Sequence, residues 1–258
     1  MRSGAGLTAL VTGATAGIGR EIARQLAADG LDLVLVARDR ARLEALAAEL
    51  AEHGARCEGL VADLAEPAAL EAVAARVADP EHPIDVLVSN AGFGIGEAFD
   101  ASAIDDERRM LDVLAWAPLR LAHAALPGMR ERGRGWILTV ASVAAWVAGG
   151  SYSAAKAHAV LLSRSIRARY AADGIRATAL CPGFTRTEFH DRMGTAARGV
   201  PAWAWADAST VAREGLRGLR RGRAVVVSDW RFRLAMPLER MVPDRVTGRM
   251  DIDGGTGA

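Results

Sequence analysis

Short apolar runs rich in β-branched residues alternate with longer stretches along most of the chain. The longer stretches favour helices because Ala, Leu, Arg and Glu dominate them. The short runs are LTALVTG (7–13), LDLVLVA (31–37), ARCEGLVA (55–62), IDVLVSN (84–90), GWILTVAS (135–142), GIRATALCPG (174–183) and RAVVVS (223–228). Strands and helices that alternate in this way predict an α/β fold, a doubly wound parallel sheet of seven strands with helices on both faces.

The same alternation predicts the domain organisation. It continues without a linker or repeat up to residue 228, so we expect residues 1–228 to form a single domain. Residues 229–258 read as a C-terminal tail that covers the substrate cleft or a subunit contact, and its last seven residues are predicted to be disordered.

Charge and composition narrow the classes of function. The net charge is +1, with 32 basic against 31 acidic residues, which gives no electrostatic reason to expect a nucleic-acid partner. The sequence contains no run of about 18 apolar residues, so no membrane span is predicted. The two cysteines are far apart, and the five histidines lack metal-ligand spacing, so we predict free thiols in the cytoplasm and no metal site.

A glycine-rich turn follows the first predicted strand, in the sequence TGATAGIGR. Gly13, Gly17 and Gly19 lie between that strand and the first helix, where backbone N–H groups can approach a pyrophosphate. Glycines are common in turns, so the trio alone is weak evidence, and its position strengthens it. The G-x3-G-x-G spacing resembles the short-chain dehydrogenase/reductase family. The resemblance implies a Rossmann-like fold and a nicotinamide cofactor, which Thr15 and Ile18 of this turn would also contact.

The end of the second strand bears on the choice of cofactor. An acid there would hold a ribose 2′-hydroxyl, whereas an arginine can clamp a 2′-phosphate. The sequence has Ala37 followed by Arg38, which favours NADPH over NAD. The alternative is that Arg38 only ends the strand and pairs with Asp39.

Further motifs of the same family follow at later strand ends. They are DL at 63–64, NAG at 90–92 and CPGFTRT at 181–187, and the resemblance covers about residues 7 to 190. Asp63 can accept a hydrogen bond from the adenine amino group, and Asn90 can also have the purely structural role of holding a sharp turn. The resemblance implies that the cofactor also contacts Leu64, Ala91, Gly92, Pro182, Gly183, Thr185 and Thr187, and that the protein is a homodimer or homotetramer.

Three polar residues in SVAAWVAGGSYSAAKA form the candidate reaction centre. Tyr152 and Lys156 are four residues apart on a predicted helix and therefore share a face. A nearby ammonium lowers the pKa of a tyrosine hydroxyl and so makes it a better acid or base near neutral pH. Ser142, ten residues before the tyrosine, can hydrogen-bond a substrate oxygen. A Y-x-x-x-K pair alone arises by chance in many helices, and the preceding motifs make the catalytic interpretation the favoured one.

One position departs from the family pattern. The helix in RRMLDVLAWAPLRLAHAALPGM has Leu114 where the family usually has an asparagine, which supports a water chain from the lysine to solvent. A leucine side chain neither donates nor accepts hydrogen bonds. We therefore keep an alternative, a protein that binds NADP(H) without turnover and acts as a sensor or regulator.

Aromatic residues cluster near the expected mouth of the site. By resemblance, the substrate lid falls near residues 184–206, and Trp146, Phe184, Trp203 and Trp205 would line the pocket. Large aromatic walls suit an apolar or ring-containing substrate, although the same rings can simply pack the lid onto the body. The sequence thus predicts an enzyme that transfers hydride between nicotinamide and a small-molecule carbonyl or alcohol. A sugar-nucleotide epimerase is disfavoured by the glycine spacing and by the lack of a large C-terminal substrate domain.

Overall fold

The computed structural model describes residues 6–189 and 201–228. Seven strands of this part form one parallel sheet: β1 (Thr8–Thr12), β2 (Asp32–Ala37), β3 (Cys57–Val61), β4 (Val86–Ser89), β5 (Gly135–Val140), β6 (Ile175–Cys181) and β9 (Val225–Val227). Their order in the sheet is β3-β2-β1-β4-β5-β6-β9. The predicted seven-stranded, doubly wound fold is therefore confirmed.

Helices cover both faces of this sheet. They are α1 (Gly17–Ala28), α2 (Arg40–Glu52), α3 (Pro67–Ala78), α4 (Ile104–Leu111), α5 (Ala117–Glu131), α6 (Gly150–Tyr170) and α7 (Ala208–Arg220). Apolar side chains of α1, α2 and α7 pack into one core cluster, and those of α3, α5 and α6 join another cluster that is formed on the opposite face.

Strand β2 shows why the inner strands have apolar residues at successive positions. Leu33 and Leu35 belong to the core cluster on one face, whereas Val34 and Val36 belong to the cluster on the other. Successive side chains of a strand point to opposite faces, so a strand covered on both sides by helices needs apolar residues throughout. A continuous apolar run is therefore the sequence pattern of this buried parallel sheet.

The order of the strands places the candidate site. Strands β2 and β3 extend the sheet on one side of β1. The chain then crosses to the other side of β1, where β4 and the later strands extend the sheet in the opposite direction. Ligands of doubly wound sheets bind in the crevice at such a switch point, outside the carboxyl ends of the strands. The glycine turn follows β1 and Asn90 follows β4, so both lie at this crevice.

Two local elements were not expected from the sequence. A small parallel sheet pairs β7 (Thr185–Arg186) with β8 (Ala206–Asp207), and strands of two residues are too short to show a hydrophobic period. A π-helix, Asp112–Trp116, joins α4 to α5. The predicted tail and residues 190–200 of the expected lid lie outside the described residues, and the single-domain boundary stays a prediction.

Candidate active site

The glycine turn and Asn90 hold each other in place. Gly13 and Gly17 have φ angles of +63° and +50°, which favour glycine, and α1 begins at Gly17. Asn90 Nδ2 donates hydrogen bonds to the carbonyl oxygens of Thr12 at 3.0 Å and Gly13 at 3.1 Å. A side chain on Gly19 would overlap the Asn90 amide. Asn90 therefore has the structural role that the sequence left open, and the turn is shaped for a close backbone approach.

Thr12 extends this support on the other side of the crevice. Its hydroxyl oxygen accepts hydrogen bonds from the backbone N–H groups of Asn90 at 2.9 Å and Ala91 at 3.1 Å. The NAG turn after β4 is thereby tied to the end of β1. Thr15 and Ile18, which the sequence assigned to the cofactor, lie half-buried in the same turn and at the start of α1.

Charged side chains gather at the ends of β2 and β3. Arg38 is exposed, and its Nη1 lies 3.8 Å from Asp63 Oδ2. Arg109 on α4 donates a hydrogen bond to the same oxygen, and Ala65 N donates to Asp63 Oδ1 at 3.1 Å. Asp39 caps α2 by accepting a hydrogen bond from the backbone N–H of Arg42. Arg38 thus forms an ion pair with Asp63, whereas Asp39 is the N-cap residue of α2.

Ser142 follows β5 and caps the 3₁₀-helix Val143–Trp146. Its hydroxyl oxygen accepts a hydrogen bond from Ala144 N at 3.1 Å. An oxygen that accepts from this side still has its own O–H to donate. The serine is thus held in a fixed position at the carboxyl edge of the sheet, where its hydroxyl can donate to a substrate oxygen.

Tyr152 and Lys156 lie together on the first turns of α6. Lys156 Nζ is 5.6 Å from the centre of the Tyr152 ring and donates a hydrogen bond to Val140 O at 3.0 Å. Lys156 is buried, whereas Tyr152 is half-buried. The bond to Val140 holds the ammonium below the end of β5, only two residues before Ser142, so all three predicted residues meet at this edge.

Burial governs the titration of the two groups beneath the tyrosine. It lowers the pKa of Lys156 to about 8, because desolvation disfavours the ammonium. It raises the pKa of the Cys181 thiol to about 12. At pH 7 the lysine therefore remains predominantly protonated and the thiol neutral, so Lys156 places a positive charge near the tyrosine.

Leu114 occupies the wall next to this charge. It is 2% exposed and packs with Met110, Ala155 and the ring of Tyr152. A methyl group placed on Gly92 would lie 2.8 Å from Leu114 Cδ2 and 3.7 Å from Lys156 Nζ. The leucine thus lies against the NAG turn near the lysine, and its side chain makes this side of the site apolar.

The segment after β6 carries the last predicted cofactor contacts. Pro182 is buried, and its carbonyl oxygen accepts a hydrogen bond from Val143 N at 2.9 Å. The hydroxyl groups of Thr185 and Thr187 donate to the carbonyl oxygens of Gly183 and Thr185, at 3.0 and 3.5 Å. These bonds shape the turn that runs from β6 past the candidate site.

The predicted pocket aromatics lie in three different settings. The rings of Phe184 and Trp205 are paired, with centres 5.7 Å apart. Trp146 is half-buried against the apolar cluster below α6, and Trp203 is 66% exposed. Phe184 and Trp205 therefore form a direct ring pair, and the lining of the pocket stays a prediction.

Comparison with known proteins identifies the family. The model of the family described as short chain dehydrogenase matches residues 7–197, which is more than half of the chain. The chain belongs to the short-chain dehydrogenase family. The predicted resemblance is therefore confirmed.

Named relatives of this short-chain dehydrogenase are oxidoreductases. Oxidoreductase UcpA of Escherichia coli K12 is 39% identical over 188 residues, 70% of each chain. A short-chain dehydrogenase from Sphingobium yanoikuyae in complex with NADPH has a TM-score of 0.83 and 33% identity, covering 91% of this chain and 94% of its own. The bulky-bulky ketone specific alcohol dehydrogenase from Comamonas testosteroni has a TM-score of 0.78 and 28% identity, covering 92% and 95%. The chain is an NAD(P)-dependent oxidoreductase of alcohol and ketone groups.

Two residues near the site of this dehydrogenase were missed by the sequence analysis. Arg109 binds Asp63, 46 residues away in sequence. Glu107 is buried and accepts hydrogen bonds from Ser102 Oγ at 2.7 Å and from Ser151 Oγ. Ser151 precedes Tyr152, so Glu107 ties α4 to the start of α6. An acidic residue in a short charged helix gives no local signal of such a role.

The described residues contain neither a membrane-spanning helix nor a cluster of metal ligands. None of their helices is both long and apolar enough to cross a membrane. They contain no group of three or more His, Cys, Asp or Glu side chains that could hold a metal ion. Both cysteines are free thiols, with Cys181 buried and Cys57 partly buried.

Proposed function

We propose that this short-chain dehydrogenase is an NADPH-dependent carbonyl reductase or alcohol dehydrogenase for apolar or ring-containing small molecules. The observation that carries the proposal is the grouping of Ser142, Tyr152 and buried Lys156 at the switch point of the sheet, beside the glycine turn. The bound nicotinamide supplies or accepts the hydride. The side chains of the protein orient the substrate and move the proton.

Each of the three side chains has its own role in this proposal. Ser142 donates its O–H to the carbonyl oxygen of the substrate and so fixes the carbonyl. Tyr152 gives its hydroxyl proton to that oxygen during reduction and takes it back during oxidation. The Lys156 ammonium favours the phenolate form of Tyr152 and also binds the cofactor ribose.

The preference for NADPH rests on the end of β2. Arg38 is exposed there and has a planar guanidinium that suits a phosphate, whereas Ala37 offers no carboxylate to a ribose 2′-hydroxyl. The NADPH in the Sphingobium yanoikuyae complex supports the same choice. In this proposal Arg38 contacts the 2′-phosphate and Asp63 the adenine amino group, with Arg109 holding the Asp63 carboxylate.

Fluorescence titration with NADPH and NADH tests the preference. We expect NADPH to bind at least tenfold more tightly, which corresponds to about 1.4 kcal/mol, and Arg38→Asp to reverse the order. Arg40→Asp is the matched control, since it makes the same change of charge two residues away on the first turn of α2. Equal affinities of the wild type for both cofactors, or equal effects of the two variants, would refute the assignment of Arg38.

The substrate class rests on the Phe184–Trp205 ring pair next to the strands that lead out of the site. The similarity to the bulky-bulky ketone specific alcohol dehydrogenase from Comamonas testosteroni supports the same substrate class. NADPH absorbance should therefore fall with aromatic or alicyclic ketones and hardly at all with short aliphatic aldehydes. The opposite order of rates would contradict the proposed substrate class.

We also propose that the protein is a homodimer or homotetramer of the cytoplasm. Exposed apolar side chains on neighbouring elements support self-association: Leu111 on α4, Trp116 on the π-helix and Leu161 on α6 are 40%, 51% and 59% exposed. Light scattering at micromolar concentration measures the mass, and a monomer would contradict the assembly. Cell fractionation tests the compartment, which the two free thiols suit.

A further inference from the structure

Three consecutive residues beyond β7 contact three separate parts of the site. Thr187 lies against the glycine turn, with its Cγ2 2.8 Å from the position that a Cβ on Gly17 would take. Glu188 accepts two hydrogen bonds from Arg42 Nη1, at 2.9 Å and 3.1 Å. The ring of Phe189 has its centre 6.0 Å from that of Tyr152. Residues 187–189 therefore run from the glycine turn to the catalytic tyrosine, and we refer to them as the strap.

Arg42, the residue of α2 that binds the strap, is itself held in place by Asp39. The backbone N–H of Arg42 donates to Asp39 Oδ1 at 3.0 Å, and its Nε lies 3.6 Å from Asp39 Oδ2. Asp39 therefore fixes both the backbone and the side chain of Arg42 at the first turn of α2. Arg42 and Glu188 are 146 residues apart in sequence, so their ion pair joins two distant segments of the chain, α2 and the strap.

We propose that the Arg42–Glu188 ion pair is a clasp that holds the strap across the glycine turn and so retains the bound cofactor. Arg42 and Glu188 act as positioning residues, because they fix Thr187 beside Gly17 and Phe189 beside Tyr152. This role rests on the nicotinamide-cofactor site and does not depend on a preference for NADPH. The clasp holds both cofactors to the same extent, since neither partner of the ion pair needs the 2′-phosphate.

A competing role for Arg42 makes a different prediction. Arg42 follows Arg38 by four residues in sequence, and its guanidinium has donors beyond the Nη1 group that binds Glu188. If Arg42 were instead a ligand of the 2′-phosphate, Glu188 would compete with that phosphate. Removal of the glutamate charge would then tighten NADPH and leave NADH unaffected, whereas opening a clasp weakens the binding of both cofactors.

Stopped-flow dissociation of NADPH and NADH separates these roles. The variants are Arg42→Gln, Glu188→Gln, the double variant, and the reversed pair Arg42→Glu with Glu188→Arg. We expect each single variant to release both cofactors about two- to fivefold faster, since exposed ion pairs are weak and salt-sensitive. The double variant should be no faster than either single one, and the reversed pair should recover most of the loss. The KM for cofactor should rise while kcat does not fall.

Asp207→Asn is the matched control. Asp207 forms an exposed ion pair with Arg186 at 3.4 Å, between β7 and β8, and this pair does not reach α2. The control should leave both dissociation rates unchanged, and 1 M NaCl should remove the difference between wild type and the single variants. The clasp is overturned if the single variants behave like the control, or if Glu188→Gln tightens NADPH alone. Weakening of both cofactors without an NADPH preference would support the clasp and refute only the assignment of Arg38.

Discussion

Lys156 provides a direct test of the electrostatics of the site. Of the 32 lysine and arginine residues in the sequence, it is the single lysine. It is 5% exposed, its Nζ donates a hydrogen bond to Val140 O, and its pKa falls because the ammonium is desolvated. We therefore predict that the protonated lysine destabilises the cofactor-free protein, and that Lys156→Met removes this penalty together with the activity.

The magnitude follows from the pKa. A fall from 10.5 to about 8, at about 1.36 kcal/mol per pH unit, means that the ammonium costs about 3 kcal/mol below pH 8. Between pH 8 and 10.5 the folded protein has already released this proton while the unfolded chain still binds it, so stability rises with pH. Above 10.5 the penalty is absent. The wild type should therefore gain about 3 kcal/mol relative to Lys156→Met between pH 7 and 10.5.

The stability difference at pH 7 alone is smaller. The methionine leaves Val140 O without its side-chain donor, and an unpaired buried carbonyl costs about 1–3 kcal/mol. The net gain of the variant at pH 7 is therefore only about 0–2 kcal/mol, and the difference in pH dependence is the more sensitive quantity. The Cys181 thiol, with a pKa of about 12, titrates above this range.

Two measurements check the prediction. Urea unfolding of cofactor-free wild type and Lys156→Met at intervals from pH 6.5 to 10.5 gives the difference in stability directly. Labelling with ¹³Cε-lysine gives one side-chain signal, because the chain has one lysine, and its midpoint should lie near pH 8. A midpoint near 10.5, or parallel stability curves for the two proteins, would refute the reasoning about desolvation.

Two further predictions concern the chemistry at the same site. Tyr152→Phe should abolish turnover and leave the NADPH affinity nearly unchanged, because only the hydroxyl is lost; substantial activity on a confirmed substrate would show that another group supplies the proton. Leu114→Asn should raise kcat about two- to tenfold with little change in KM, because the amide restores a hydrogen-bonding group near Lys156. It should also lower stability by about 1–3 kcal/mol if the buried amide finds no partner, so rates must be compared at equal folded fraction. If the wild type is inactive on a broad panel of carbonyl compounds and Leu114→Asn makes it active, the result favours the regulatory alternative. If the wild type is active and the substitution does not change its rate, the proton takes another route.

The sheet was predictable from the sequence because its information is local. A parallel strand covered on both faces must be apolar at nearly every position, so the inner strands of the main sheet are visible as short apolar runs. The glycine turn is visible because only glycine suits the backbone at Gly13 and Gly17. The pairing of Tyr152 with Lys156 follows from helical geometry alone, since residues four apart share a face.

The surroundings of the site were decided by the tertiary structure. Arg109 reaches Asp63, and Arg42 reaches Glu188, only because the order of the strands brings distant segments to the same edge. The sequence offered Asp39 as an alternative partner of Arg38, and the structure uses Asp39 to cap α2 instead.

The surroundings of Leu114 were likewise decided by the tertiary structure, although the sequence identified the residue itself. The sequence identified the unusual leucine, but its position depends on the π-helix Asp112–Trp116 and on the approach of the NAG turn. The apolar period of a helix does not reveal a local change to π geometry, and it carries no information about which turn will pack beside it. Local sequence therefore determined most of the strands, the glycine turn and the pairing of Tyr152 with Lys156, whereas contacts between distant segments determined which charged and apolar side chains surround them.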